Sequence, residues 1–271
     1  MAITTGDGLL AGMKPRESFI KATGTMEAAG VFASLFYTAG RPGAAVAPTP
    51  GLAGAALTTY AGQMPWTNPT GGALSYLARV FANAGVAGSL FVCDRLWHNS
   101  GIVVTTTTAQ TVNSVAWPAR DRDGSTNGAD VMVALEVSAA TTNGADVTNM
   151  TMSYTDDGGN AGAAGAANLP NFPATAAAGT FVPFSLAAGD TGVRSIQSIT
   201  LGTSLVAGTV HLVAYRVLAE VPVPIANVPV LADAVALGMP KLWDNTVPFL
   251  VWLPTATTTT QVVGSITVAQ G

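Results

Sequence analysis

Short apolar segments with polar residues between them dominate the chain from residue 88 onward. They are rich in Val, Thr, Ile, Phe and Tyr, and Gly, Asn, Asp or Pro interrupts them about every ten residues. In "VTNMTMSY" (147–154) the alternation places Met150, Met152 and Tyr154 on one face of a strand. The pattern predicts an all-β protein, an antiparallel β-sandwich or jelly roll rather than alternating β–α units. The predicted strands cover 89–97, 101–117, 130–140, 147–159, 180–186, 193–202, 208–221, 247–255 and 260–271.

The first part of the chain lacks this regular pattern. Gly and Pro punctuate residues 1–30, which predicts an N-terminal arm or short extended segments rather than a long helix. Residues 31–271 are expected to form one sandwich domain. Within that domain, residues 40–72 are predicted to be a long Gly/Pro-rich loop, because their prolines exclude a central strand.

The segment 73–85 fits two kinds of element. Its apolar residues Leu74, Leu77, Val80 and Phe81 follow a three-four spacing. This spacing is typical of a helix of about three turns, but a strand with a bulge produces it as well.

The stretch "FVCDRLWHNSG" (91–101) contains the only cysteine and one of the two histidines of the chain. If it is a strand, Cys93 and Arg95 share one face, whereas Asp94 and His98 share the other. A local Cys–His catalytic pair is therefore excluded without a bulge, because the base must lie within hydrogen-bond reach. We interpret Cys93 as a packing residue, Arg95 as paired or solvated, and "HNSG" as a turn.

The loop "RDRDGSTNGAD" (120–130) is the best candidate for a metal site. Asp121, Asp123 and Asp130 supply oxygen ligands of the kind that calcium prefers. The glycine position differs from that of an EF-hand, and no glutamate follows at the required distance. A hydrophilic turn explains the same residues, since Asp, Asn and Gly are standard turn formers.

No other motif points to catalysis or to a cofactor. The glycine-rich fingerprints of nucleotide binding and the G-x-S-x-G elbow are both missing from the sequence. His211 has no second histidine nearby and is expected to be packed. The five tryptophans are dispersed, which favours core and interface anchors over a sugar-binding platform. We therefore expect no enzyme activity, no catalytic residues and no cofactor.

The composition indicates a protein that works in an assembly. Only 10% of the residues are charged, against about 25% in ordinary soluble domains. A monomer normally covers itself with interspersed charges, so much of this surface is expected to be buried against neighbours. The net charge is −4 and no run of Lys or Arg occurs, which disfavours nucleic acid as a partner.

Membrane and export signals are also missing from the sequence. No stretch of about 18 uninterrupted apolar residues is present. The start of the chain lacks the features of a signal peptide, and one cysteine cannot form an internal disulfide. We expect a protein with no membrane partner that is made and assembled in the cytoplasm of its host.

Several phrases resemble virion structural proteins of tailed bacteriophages. They are "AITTGDGLLAG", "DRLWHNSGI", "ARDRDGSTNGADV", "MSYTDDGGNAG" and "VWLPTATTTTQVVGSITVAQG". The resemblance implies a β-sandwich protein on the capsid surface that binds the major capsid protein as a decoration (cement) protein. It implies no catalytic residues. A homotrimer would suit the three-fold positions of a capsid.

Other functions remain open at this point. Within the virion the chain could be a tail-tube, neck or connector component. From another class, a glycan-binding adhesin domain is the alternative. The major capsid protein itself is disfavoured, because the usual phage shell fold needs long helical stretches that the sequence lacks.

Overall fold

The computed structural model describes residues 3–22, 29–162, 167–257 and 261–271. The fold is nearly all β, with 42% of residues in strands and 4% in helices. The sheets are antiparallel and curl into half-barrel or near-barrel shapes. The predicted all-β sandwich class is therefore confirmed.

The described elements are two short helices and a series of strands. The helices are α1 (Gly6–Gly12) and α2 (Ala234–Leu237). The strands are β1 (Glu17–Ala22), β2 (Ala33–Ser34), β3 (Gly40–Arg41), β4 (Ala55–Ala56), β5 (Ser75–Ala84), β6 (Gly88–His98), β7 (Gln110–Thr111), β8 (Met132–Ala139), β9 (Thr151–Asp156), β10 (Ala167–Asn168), β11 (Phe181–Pro183), β12 (Val193–Thr200), β13 (Thr209–Val223), β14 (Val230–Ala232), β15 (Lys241–Leu242), β16 (Pro248–Pro254) and β17 (Gln261–Gln270).

The chain divides into two compact units, whereas the sequence suggested one domain after an arm. Unit 1 comprises Met1–Ala45, Thr59–Asp94 and Val217–Gly271, and unit 2 comprises Val46–Thr58 and Arg95–Arg216. The divisions at residues 94/95 and 216/217 fall inside the continuous strands β6 and β13. No change of composition marks these points, so the hydrophobic pattern could not reveal them.

Unit 1 contains its own sandwich. One sheet has the strand order β14-β5-β17-β1-β3, with β15 also paired to β5. Residues 88–94 of β6 pair with β16, which in turn pairs with β2. The core of the unit combines residues of both groups, such as Phe19 and Ile266 from the first and Leu90 and Trp252 from the second.

Part of the predicted N-terminal arm belongs to this sheet. Thr5 caps α1 by accepting a hydrogen bond from the Gly8 amide at 3.0 Å. Strand β1 then pairs with β17 along its whole length, and Phe19 is completely buried. Residues 17–22 are therefore an integral strand of the sheet.

Strand β5 resolves the ambiguity of the segment 73–85. It pairs with β17, and the register shifts between Arg79 opposite Thr267 and Leu77 opposite Val268. Ala78 is thus an extra residue, and it brings Leu77 and Val80 into the core from positions three apart. The strand-with-bulge alternative is confirmed, and the helix alternative is wrong.

Unit 2 contains a second sandwich with a separate core. One sheet has the order β10-β9-β12-β7. Opposite it, β8 pairs with β11 and with residues 209–215 of β13. The core between them includes Met150, Met152 and Tyr154, the residues whose alternation indicated a strand.

The long strand expected over residues 101–117 is wrong. Only β7 forms there. The amides of Val112 and Asn113 both donate to the carbonyl of Gln197, at 2.8 and 3.1 Å, which cannot occur in a regular ladder. Asn113 also has a φ of 43°, in the left-handed region, so the backbone departs from strand conformation at this point.

Replacing Gly264 with alanine should destabilise the protein by about 1–3 kcal/mol, because the new methyl group overpacks the core. A Cβ atom at this position would lie 2.0 Å from the Phe81 carbonyl oxygen and 2.5 Å from the Phe19 ring. Chemical denaturation measures the change. Gly43→Ala is the control, since nothing lies within 4 Å of its added Cβ atom. Equal stability of the two variants would contradict the prediction.

Candidate functional site

Cys93, the first candidate nucleophile, is a packed residue of unit 1. It lies on β6 opposite Phe249 of β16 and is 1% exposed. Burial raises the pKa of the Cys93 thiol far above its usual value, and the neighbouring Asp94 raises it further. The thiol is therefore protonated at neutral pH, whereas a nucleophilic cysteine needs the thiolate.

Arg95 and Glu136 form a buried ion pair in unit 2. Both side chains are completely buried. Arg95 Nη1 donates to Glu136 Oε1 at 3.0 Å, and Nη2 donates to Oε2 at 2.6 Å. This two-fold contact joins β6 to β8. Its geometry satisfies both carboxylate oxygens, as a buried charge requires.

His98 extends this pair. Its Nδ1 accepts a hydrogen bond from Arg95 Nε at 3.2 Å, so the imidazole is neutral in this arrangement. Burial lowers the pKa of His98 to about 2, and the charge of Arg95 acts in the same direction. His98 lies at the end of β6, beside Ala55 of β4.

His211 has both ring nitrogens engaged. Nδ1 lies 2.9 Å from the carbonyl oxygen of Asn99, so this nitrogen donates. Nε2 lies 2.7 Å from Ser138 Oγ and in the neutral ring accepts from the hydroxyl. Burial lowers the pKa of His211, although the nearby Glu136 opposes the shift.

The Ser138–His211 pair meets one requirement of a nucleophilic serine, a base within hydrogen-bond distance. Ser138 is the extra residue of a bulge in β8, since Thr209 pairs with Ala139 and Val210 pairs with Val137. His211 is completely buried. The Ser138–His211 hydrogen bond therefore links β8 to β13. The bonds from His211 and from the Leu212 amide to Asn99 also fix the chain just after β6.

Asp121 organises the loop that the sequence suggested as a metal site. Its carboxylate accepts hydrogen bonds from the amides of Asp123, Ser125, Gly128 and Ala129, and from the Ser125 hydroxyl at 2.6 Å. These bonds lower the pKa of Asp121 although burial opposes the change. Both carboxylate oxygens of Asp121 thus accept hydrogen bonds from groups of its own loop.

Asp123 and Asp130 have a different partner. Both contact Arg122 at the surface, where Arg122 Nε lies 3.0 Å from Asp123 Oδ1 and Nη1 lies 3.5 Å from Asp130 Oδ1. The structure therefore directs Asp121 to the groups of its own loop, whereas Asp123 and Asp130 share Arg122. In the described ranges, no group of three or more His, Cys, Asp or Glu side chains is placed to hold a metal ion.

The partners of Arg95 and His211 were missed by sequence analysis. Glu136 is a charged residue in the otherwise continuous apolar run "VMVALEV" (131–137), and such a run is typical of a strand that is buried on both faces. That was a usable signal of a buried partner. Ser138 and Asn99 gave none, because serine and asparagine are ordinary residues at the ends of strands.

The buried charges leave a surface that is even poorer in charge than the composition suggests. Among the described residues, seven charged side chains are at most 6% exposed. They are Lys21, Asp94, Arg95, Arg120, Asp121, Glu136 and Arg216. Several large apolar side chains are exposed at the surface instead.

Several of these exposed apolar residues lie in one segment of unit 1. We call residues 225–235 the apolar edge segment. It contains Ile225, Val228, Leu231 and Val235, which are 60, 46, 56 and 90% exposed. It includes β14, the terminal strand of its sheet, and the first two residues of α2.

The comparisons with known proteins identify no relative. No family model, no curated protein and no solved structure matches the chain. None of the helices in the described ranges is long and apolar enough to cross a membrane.

Removing one member of the buried ion pair should be far more harmful than removing both. We expect Glu136→Leu to lower the free energy of unfolding by about 3–5 kcal/mol, because Arg95 is left as an uncompensated buried charge. The double variant with Arg95→Met should lose less than either single variant. Urea denaturation of the four proteins gives the coupling energy. Costs that simply add would show that the two side chains act independently.

Mild acid should destabilise the protein through its buried histidines. The folded state keeps His98 neutral down to a pKa of about 2, whereas the unfolded chain binds a proton near pH 6.5. Stability therefore falls as pH decreases below about 6.5, by up to about 1.4 kcal/mol per pH unit for each such histidine.

The His98→Asn variant tests this assignment. Its Oδ1 replaces the Nδ1 acceptor and does not titrate, so its stability should depend less steeply on pH. Denaturation at several values between about pH 4.5 and 7 measures the slope, above the range in which carboxylates dominate. An unchanged slope would show that His98 does not contribute to the dependence of stability on pH.

Proposed function

We propose that this chain is a structural protein of a bacteriophage virion, which decorates the capsid by binding the shell of the major capsid protein. The observation that carries the proposal is the charge-poor surface. In the part of the chain that the structure describes, seven charged side chains are buried and several large apolar side chains are exposed. A protein with such a surface gains stability from being covered by neighbours, as subunits of permanent assemblies are.

The apolar edge segment is the contact surface that we propose. Strand β14 ends its sheet, and a terminal strand presents backbone groups to which another chain can pair. Natural proteins usually protect such an edge with charged residues. The one charged side chain in residues 225–235 is Asp233, whose Oδ1 caps α2 by accepting from Val235 and Ala236 at 3.0 Å.

In this proposal the chain acts by non-covalent burial and binds two partners, the capsid shell and copies of itself in a homotrimer. Repeated assemblies favour closed cyclic symmetry, which lets one apolar surface be used at every subunit contact. The protein resides on the virion after assembly in the cytoplasm of the host. Nucleic acid and membrane play no part in this function.

The decisive measurement is the number of copies per particle. Purified virions that contain this chain should hold on the order of hundreds of copies, because a decoration protein occupies symmetry-related sites over the whole shell. Quantitative gel densitometry against the major capsid protein gives the ratio. A handful of copies would overturn the decoration proposal and support a neck, connector or tail component.

The substitution Leu231→Lys should sharply reduce the amount of this chain on particles, because it places a charge on the apolar edge segment. Leu231 is 56% exposed, so the isolated chain should keep its stability. Val103→Lys is the matched control, since Val103 is 52% exposed in unit 2. Both variants would be added to particles that lack the protein, and bound chain would be measured after sedimentation. Equal binding of the two variants would show that the edge segment is not the contact.

A further inference from the structure

A cleft in unit 1 combines one aromatic side chain with three different polar groups. Its volume is about 280 Å³. The floor is formed by Ile266, Val268 and Gln270, which point to one face of β17 because they are two residues apart. Glu17 lies on the neighbouring strand β1, directly opposite Ile266, so its carboxylate joins the same face.

The segment Pro65–Thr67 forms the other wall of this cleft. Gln270 Nε2 donates to the Thr67 carbonyl at 2.9 Å and ties the segment to the end of β17. The indole of Trp66 packs against the core of unit 1 but is not completely buried. Its Nε1 donates to Asn68 Oδ1 at 3.1 Å, which orients the ring.

Lys14 and Glu17 supply opposite charges at the mouth of the cleft. The Lys14 amide donates to the Val268 carbonyl at 2.8 Å, so the backbone at this lysine is anchored to the floor strand. Among the described residues, no hydrogen bond or ion pair engages the side chain of either residue. A donor and an acceptor are therefore available together with no net charge.

We propose that this cleft binds a neutral sugar unit. The carbon–hydrogen face of a pyranose ring suits the flat indole of Trp66 and the aliphatic floor. Sugar hydroxyls donate and accept at once, so they match the Glu17 carboxylate, the Lys14 ammonium and the Gln270 amide together. A volume of about 280 Å³ is just below the usual range of about 300–1,000 Å³ for small-molecule sites, which suits one sugar residue.

The cleft explains how one tryptophan can form a sugar site although the tryptophans are dispersed in sequence. The floor residues of β17, the charged pair Lys14 and Glu17, and the indole of Trp66 come from three separate segments of unit 1. Sugar binding is a property of the isolated chain, so it is independent of the proposed role on the capsid. A decoration protein with this site would also present a sugar-binding surface.

Saturation-transfer NMR on the full chain tests the proposal. The probes are methyl glycosides of neutral hexoses and N-acetylhexosamines, with zwitterionic amino acids as the competing class. We expect saturation transfer to at least one glycoside, with a dissociation constant of about 1 mM, as is usual for a ligand of so few atoms. Transfer to none of the glycosides, or only to amino acids, would overturn the proposal.

Two variants locate the binding. Trp66→Ala should abolish the transfer, and Glu17→Gln, which keeps the side-chain shape, should weaken binding by about tenfold because a charged acceptor is lost. Trp243→Ala is the matched control, because its indole lies in the same unit under Lys241, whose Nζ is 3.6 Å from the ring centroid. Retained binding in both cleft variants, or equal loss in the control, would place the ligand elsewhere.

The same glycosides and longer oligosaccharides distinguish the source of the sugar. A site for a terminal sugar unit should bind the glycoside and the chain end with similar affinity, since the cleft holds one ring. Capture of oligosaccharides on a glycan array, reduced by the free glycoside, would support this form of the site. Array binding that the Trp66→Ala variant retains would count against it.

Discussion

Burial of charge is the constraint on which this structure depends. Arg95 and Glu136 are both completely buried, and neither is tolerable there without the other. Their two parallel hydrogen bonds fix the approach of β6 to β8, and the remaining Nε of Arg95 fixes the tautomer of His98. The polar centre of unit 2 is therefore determined as one network rather than as separate contacts.

Other buried charges hold irregular segments against the sheets. Lys21 Nζ donates to the carbonyls of Thr38 and Pro42 at 3.0 and 2.9 Å, while burial lowers its pKa to about 8. Arg120 Nη1 reaches the Leu57 carbonyl at 2.7 Å, and Asp94 Oδ1 accepts from the Val247 amide at 2.9 Å. Loops without a regular ladder obtain their backbone partners in this way. Because these charged side chains are buried, few charges remain at the surface, and this is the basis of the proposed assembly role.

The sequence predicted local structure better than it predicted partners. Alternation identified β9 and its buried face correctly, because a period of two is visible within eight residues. It failed at 101–117, where Thr and Val favour a strand but two amides compete for the carbonyl of Gln197. Such a long-range contact leaves no local signal. The same limit applies to the cleft, since Glu17, Trp66 and Gln270 meet only after β1 and β17 have paired.

The order of strands separates the two surfaces proposed for unit 1. The apolar edge segment contains β14, which pairs with β5 at one end of the sheet. The cleft lies on β17 and β1, beyond β5 in the strand order, and is also lined by Lys14 and the segment Pro65–Thr67. A partner that adds to the β14 edge therefore extends the sheet away from the cleft. Assembly through the apolar edge is compatible with a cleft that stays open to ligand, because the two contacts use different strands of one sheet.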